Sequence, residues 1–136
     1  MDATGGKEDE VVADKIPRME DPKPSISVHT FHDQIIDNEC FFQVIKLEDS
    51  FHLWIGNSPA TFGSFTVALQ TKFDKLPSSI PLLGGTDSPS NSLALQLAKK
   101  TGKQVFVSCN LPFHGQLMPL IEKRISQELN NHPEHF

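Results

Sequence analysis

This chain is short of several things, and each shortage removes a class of function. Basic residues are scarce: 12 Lys and Arg stand against 17 Asp and Glu, a formal charge of −5. Phosphate neutralisation needs clustered cations, so nucleic acid is excluded as the main partner. The nearest approach to a basic block is Lys99, Lys100 and Lys103, at the end of a helical pattern where cations suit the macrodipole anyway. No apolar run comes near the roughly 18 residues that suggest a membrane span. There are only two cysteines, Cys40 and Cys109, both in apolar strand-like settings (ECFFQVI and FVSCNL). They read as buried free thiols rather than a disulfide. The first residues are acidic and polar, with no signal-peptide pattern. A soluble protein of the cytoplasm, and of the nucleus as well, is expected.

What is present is enough for one folded domain. The 136 residues include ten Phe and one Trp, with 38% apolar content, which leaves room for a real core but not for two. Residues 1–24 differ from the rest: they hold eleven charged residues and three prolines, with a net charge of −3. Such a segment cannot bury enough surface to offset its ordering entropy. It is expected to be a disordered acidic tail, either simply solvated or used for docking and regulation, ahead of a domain over 25–136.

From Ser25 onward the pattern is strand-like. Ile26, Val28 and Phe31 mark a first strand. The run at 41–47, the polar turn Glu48-Asp49-Ser50 and the run at 51–55 predict a hairpin. Phe65, Val67, Leu69 and Phe73 alternate with Thr66, Ala68, Gln70 and Lys72, which predicts one dry face and one wetter one. Residues 74–81 read as a loop, 82–83 as a short strand and 84–90 as a second loop. Asn91 or Ser92 then caps a helix that Gly102 ends. Val105, Val107 and Cys109 share one side of the next strand and Phe106 takes the other. The last helix shows Met118, Ile121, Ile125 and Leu129 as one stripe, with Pro119 in its first turn.

Five or six strands spaced about 4.8 Å apart make a sheet roughly 24–29 Å wide. Two helices shield one face of such a sheet, yet several strands are apolar on both sides. An uncovered apolar face is rare on soluble monomers. The expectation is therefore an α+β fold: a mostly antiparallel sheet of about six strands with two main helices packed on it, forming a dimer through the remaining face. Phe42, Val44, Trp54 and Phe106 are the candidate seam. Trp54 and Phe106 read equally as plain core.

Chemistry is thin. His29 and His32 are three apart, as are His132 and His135, but neither pair comes with a Cys or carboxylate cluster of ligand spacing. On a strand the first pair falls on opposite faces, and the second flanks Pro133 at what reads as a frayed end. The loop LLGGTDSPSNS precedes a helix but lacks the Gly-Lys-Ser/Thr of a phosphate-binding loop. Ser108, Cys109 and His114 could suggest a nucleophile and base, but no carboxylate is placed to orient His114. No catalytic residue, cofactor or metal is expected.

Longer stretches carry a resemblance. SVHTFHDQI, FFQVIKLEDSFHLWIGNSP, the run from FTVALQ to FVSCNL, and LIEKRISQELNNHPEHF occur in order. The most telling pieces are LWIG at 53–56, LLGGT at 82–86, LAKKTGKQVFVS at 97–108 and PEHF at 133–136. From Ser25 to the end the chain resembles the proteasome assembly chaperone 4 family. The resemblance implies a non-enzymatic chaperone that pairs with proteasome assembly chaperone 3. Such a pair escorts α-subunits while the α-ring of the 20S core particle forms, and leaves before the particle is finished. A homodimer is the alternative when the partner is missing. A chaperone that releases its client without an energy source needs a modest polar contact. The candidate client-binding rim is Lys72, Asp74, Lys75, Asp87, Lys99, Lys100 and Lys103. Two rivals remain, a dimerisation or adaptor module of a trafficking complex and a small histidine-using hydrolase.

Overall fold

The computed structural model describes residues 26–58, 60–71, 75–85, 88–111 and 116–136. The tail expected at 1–24 lies outside them, as do Lys72, Phe73, Asp74, Asp87 and His114. The chain runs β1 (Ser27–Ile35), β2 (Asn38–Lys46), β3 (Ser50–Gly56), β4 (Phe65–Leu69), β5 (Ser78–Leu83), α1 (Pro89–Thr101), β6 (Gln104–Cys109) and α2 (Leu117–Asn131), then a short 3-10 turn at Pro133–His135. The strands form one six-stranded sheet in the order β1-β2-β3-β6-β4-β5. β3 and β6 pair in parallel and the other four neighbours are antiparallel. The expected α+β architecture is present.

Local chemistry explains most boundaries. The β2–β3 hairpin closes where the polar turn predicts it, with Leu47 N donating to Ser50 O at 2.8 Å. The helix α1 starts earlier than Asn91 or Ser92, because Pro89 presets the first helical φ and the Ser88 side chain accepts from Ser90 N. It ends as expected at Gly102, whose φ of 68° is left-handed. The segment read as a loop at 74–81 contributes a strand instead. β5 is an edge, so Pro81 costs the sheet no interior hydrogen bond.

Both helices lie on one side of the sheet. Phe51, Leu53, Ile55, Val105 and Val107 form a single core with Leu93 and Leu97 of α1 and with Ile121 and Ile125 of α2. Phe42 and Val44 belong to this core, at 1% and 0% exposure. The register sets Phe42 opposite Ile55 and Val44 opposite Leu53, so period-two alternation turns both toward the helices. They do not lie on the opposite face, where the candidate seam is expected. The α2 stripe of Met118, Ile121 and Ile125 is buried as predicted, with Leu129 partly so. Free Cys40 and Cys109 are buried.

β4 inverts its expected polarity. Thr66 and Ala68 are fully buried on the helix side, while Val67 pairs with Phe106 on the opposite face. Small residues there meet Ala94 and Ala98 of α1, which are also fully buried, and small facing small lets the helix approach the strand. The C-terminal segment is not frayed either. Phe136 is 1% exposed, and its ring meets Phe51 edge-on at 5.5 Å.

Candidate functional site

The face of the sheet away from the helices is where the unspent apolar surface lies. Alternation along β2 and β3 places Phe41, Gln43 and Ile45 there beside His52 and Trp54. Phe106 and Ser108 of β6 join them through the β3–β6 register. Phe65 stacks on Phe106 with centroids 5.7 Å apart and rings 16° from parallel, and Phe62 sits 5.5 Å from Phe65. Ile80, opposite Val67, is 52% exposed. Trp54 and Phe106 are half-buried rather than core. Of the expected seam residues, these two lie on the uncovered face and Phe42 and Val44 do not. Phe41, Ile45, Phe65, Val67 and Ile80 were the members missed. Their signal was in the alternation, since each strand's second apolar set points opposite its first.

The LWIG motif has a structural cause. The Trp54 indole lies across Gly56, where any added Cβ would collide with the ring. Trp54 Nε1 donates to Thr61 O at 3.0 Å, pinning the indole against the segment after β3. A recess of about 360 Å³ opens beside it, bordered by Thr30, His32, Phe41, Gln43 and Ala60. The SCN segment at 108–110 forms a clamp that sequence patterns do not reveal. Ser64 Oγ donates to Cys109 O at 2.9 Å and the Ser90 hydroxyl accepts from Cys109 N at 2.8 Å. Asn110 Oδ1 accepts from Gly63 N at 2.6 Å. Together they fix the segment before β4 to the end of β6 and the start of α1.

The histidine nearest to chemistry is His52, whose Nε2 is 3.0 Å from Ser108 Oγ. Burial lowers the His52 pKa from its ordinary value. Ser108 is fully buried, and among the described residues no Asp or Glu bonds to His52. Burial pushes the Cys109 thiol up to about 11, so it is neutral at physiological pH and a poor nucleophile. Cys109 is therefore a weak candidate for the nucleophile of the trio Ser108, Cys109 and His114, and His114 lies outside the described residues. His29 and His32 do fall on opposite faces: His29 stacks on Phe31 on the helix side, and His32 pairs with Phe41 on the other.

The expected rim divides. Lys99 and Lys75 are exposed. Lys100 Nζ donates to Ser126 Oγ at 2.7 Å, tying α1 to α2. Lys103 Nζ donates to Phe136 O at 2.6 Å. These two are engaged within the chain. Lys72, Asp74 and Asp87 lie outside the described residues.

The family pattern described as "Proteasome assembly chaperone 4" matches residues 39–111, from β2 to just past β6. The chain belongs to that family. The Homo sapiens "Proteasome assembly chaperone 4" is 40% identical over 113 residues, covering 82% of this chain and 91% of the relative. The Mus musculus protein of the same name is 38% identical over the same length. Among solved structures, a chain of the "Crystal Structure of a Novel Chaperone Complex for Yeast 20S Proteasome Assembly" aligns with a TM-score of 0.62 at 14% identity. It covers 79% of this chain and 97% of its own length, a likeness of fold. The LWIG and SCN segments explained above fall inside the 39–111 match.

Proposed function

We propose that the protein is a non-enzymatic chaperone of proteasome assembly that works as one half of a two-chain sheet sandwich. Family membership and the relatives' names support the chaperone role. The observation that carries the sandwich is the aromatic face that, among the described residues, neither helix covers, since both sit on the other side. A partner sheet packed about 10 Å away would bury it. That partner is a second small chaperone resembling proteasome assembly chaperone 3, with a homodimer as the fallback when it is missing. The clients are α-subunits of the 20S core particle, held while the α-ring forms and displaced by overlap as further subunits arrive. A modest, polar client contact suits such release, and exposed Lys75 and Lys99 are its basic members.

Affinity purification from cells in which core-particle assembly is stalled tests the reading. The expected catch is α-subunits together with one other small chaperone. Membrane-tethering proteins in their place would move the protein to the trafficking-adaptor class. Lys75→Glu with Lys99→Glu alters exposed side chains and is expected to leave the fold intact and weaken α-subunit capture; unchanged capture removes that patch from the client contact.

A further inference from the structure

The C-terminal turn gathers side chains that the chaperone role does not use. The helix α2 ends with His132, whose N–H donates to Glu128 O at 2.8 Å, and the chain then bends through Pro133–His135. Both sides of the bend are held. Lys46 Nζ donates to Glu134 O at 2.8 Å, and the buried Phe136 ring anchors the residue beyond it. The bend sets His132 Nδ1 3.3 Å from Glu134 Oε1, and His135 Nε2 3.8 Å from the same oxygen. All three ligand atoms lie within 4.8 Å of one another. Zinc bonds His nitrogen and carboxylate oxygen at about 2.0–2.2 Å, so tetrahedral ligand atoms stand roughly 3.3–3.5 Å apart. The three groups need only small rotations to meet one ion.

A second observation points the same way. His135 Nδ1 is buried without a hydrogen-bond partner, and so are His29 Nε2 and Glu128 Oε2. The His135 and His29 rings stack with centroids 3.7 Å apart, and His29 Nε2 lies 3.8 Å from Glu128 Oε2. One of these atoms is the far ring nitrogen of His135 itself, and the other two belong to the His29–Glu128 pair that its ring stacks against. Glu128 already has a cation, since Arg124 Nη2 donates to its Oε1 at 3.5 Å, so it is the stacked imidazoles that a nearby metal ion would serve. We propose that His132, Glu134 and His135 bind a divalent transition-metal ion of the zinc class, with water completing the coordination. His29 and Glu128 form the buried layer behind it. The ion fixes the C-terminal turn itself, whose His135 ring stacks on His29 of β1.

The test is calorimetric titration of the tag-free full chain, stripped with chelator, using zinc chloride alone. One saturable site per chain is expected, together with a rise in melting temperature that chelator reverses. His132→Gln and Glu134→Gln alter mostly exposed side chains, at 49% and 62% exposure, and each is expected to weaken zinc at least tenfold. His135→Gln should abolish the site, and if that variant fails to fold the other two decide. Absence of saturable binding, or binding that His132→Gln and Glu134→Gln together leave unchanged, overturns the proposal. The result is independent of whether α-subunits are captured.

Discussion

Both faces of this sheet carry apolar residues, but in different proportions of aliphatic and ring. The covered face is built mainly of aliphatics, among them Val44, Leu53, Ile55, Val105 and Val107, interlocked with the helices at near-zero exposure. The uncovered face has a larger share of flat rings, Phe41, Trp54, Phe65 and Phe106, beside the aliphatics Ile45, Val67 and Ile80 and the polar Gln43 and His52. Branched aliphatics pack once and hold. Rings carry much contact area for little rotamer entropy, which suits a surface that must be stable alone and dock afterwards. β4 makes the contrast sharpest, because it gives its small residues to its own helix and its large ones to the outside.

The contrast can be broken at four points. Phe51→Ala empties a fully buried site beside Phe136 and is expected to cost about 3–5 kcal/mol in urea unfolding. A loss no larger than that of a surface substitution would mean the covered face is not the core. Trp54→Glu and Phe106→Glu are expected to shift the melting of the isolated chain by only a few degrees. Each should weaken partner binding by about 2 kcal/mol or more, read by co-purification and sedimentation. If the partner is retained at full strength by both variants, the sandwich reading fails. Thr66→Val comes next. The Thr66 hydroxyl is buried with no hydrogen-bond partner, so the isosteric change should stabilise the fold by about 1 kcal/mol in chemical denaturation; a destabilisation would show the hydroxyl to be satisfied. The smallest effect concerns His52. Burial lowers its pKa below the ordinary value of 6.5, so the unfolded chain takes up the proton first. Its contribution is complete above about pH 6.5 and is lost as the pH falls through the folded-state value. His52→Gln should therefore flatten the fall in stability between pH 7 and pH 5, and an unchanged slope would detach His52 from that fall.

Much of the fold was legible because its signals are local. The 48–50 turn, the αL glycine at Gly102, and the sidedness of Val105, Val107 and Phe106 all follow from neighbours in sequence. The bend between β1 and β2 was not legible, since it places Ile36 at a φ of 57° with no Gly or Asn to announce it. Only the end of β5, at 82–83, is legible as strand; 78–81 reads as loop because Pro81 is a strand breaker until the strand is known to be an edge. Of the four candidate seam residues, Trp54 and Phe106 lie on the face away from the helices. Phe42 and Val44 face the helices instead, because alternation says which residues share a face but not which face the helices choose.

By itself the sequence determined the element kinds, most of their ends, and the surplus of apolar strand surface over helix to cover it. Those are matters of period, propensity and count, readable within a window of a few residues. Only the tertiary structure decided which of two apolar faces α1 and α2 would take, that β4 turns its small side inward, and that Pro133–His135 folds His132, Glu134 and His135 together. Each depends on contacts between segments far apart in the chain. Their energies come from shape and mutual burial, and no single segment carries either one.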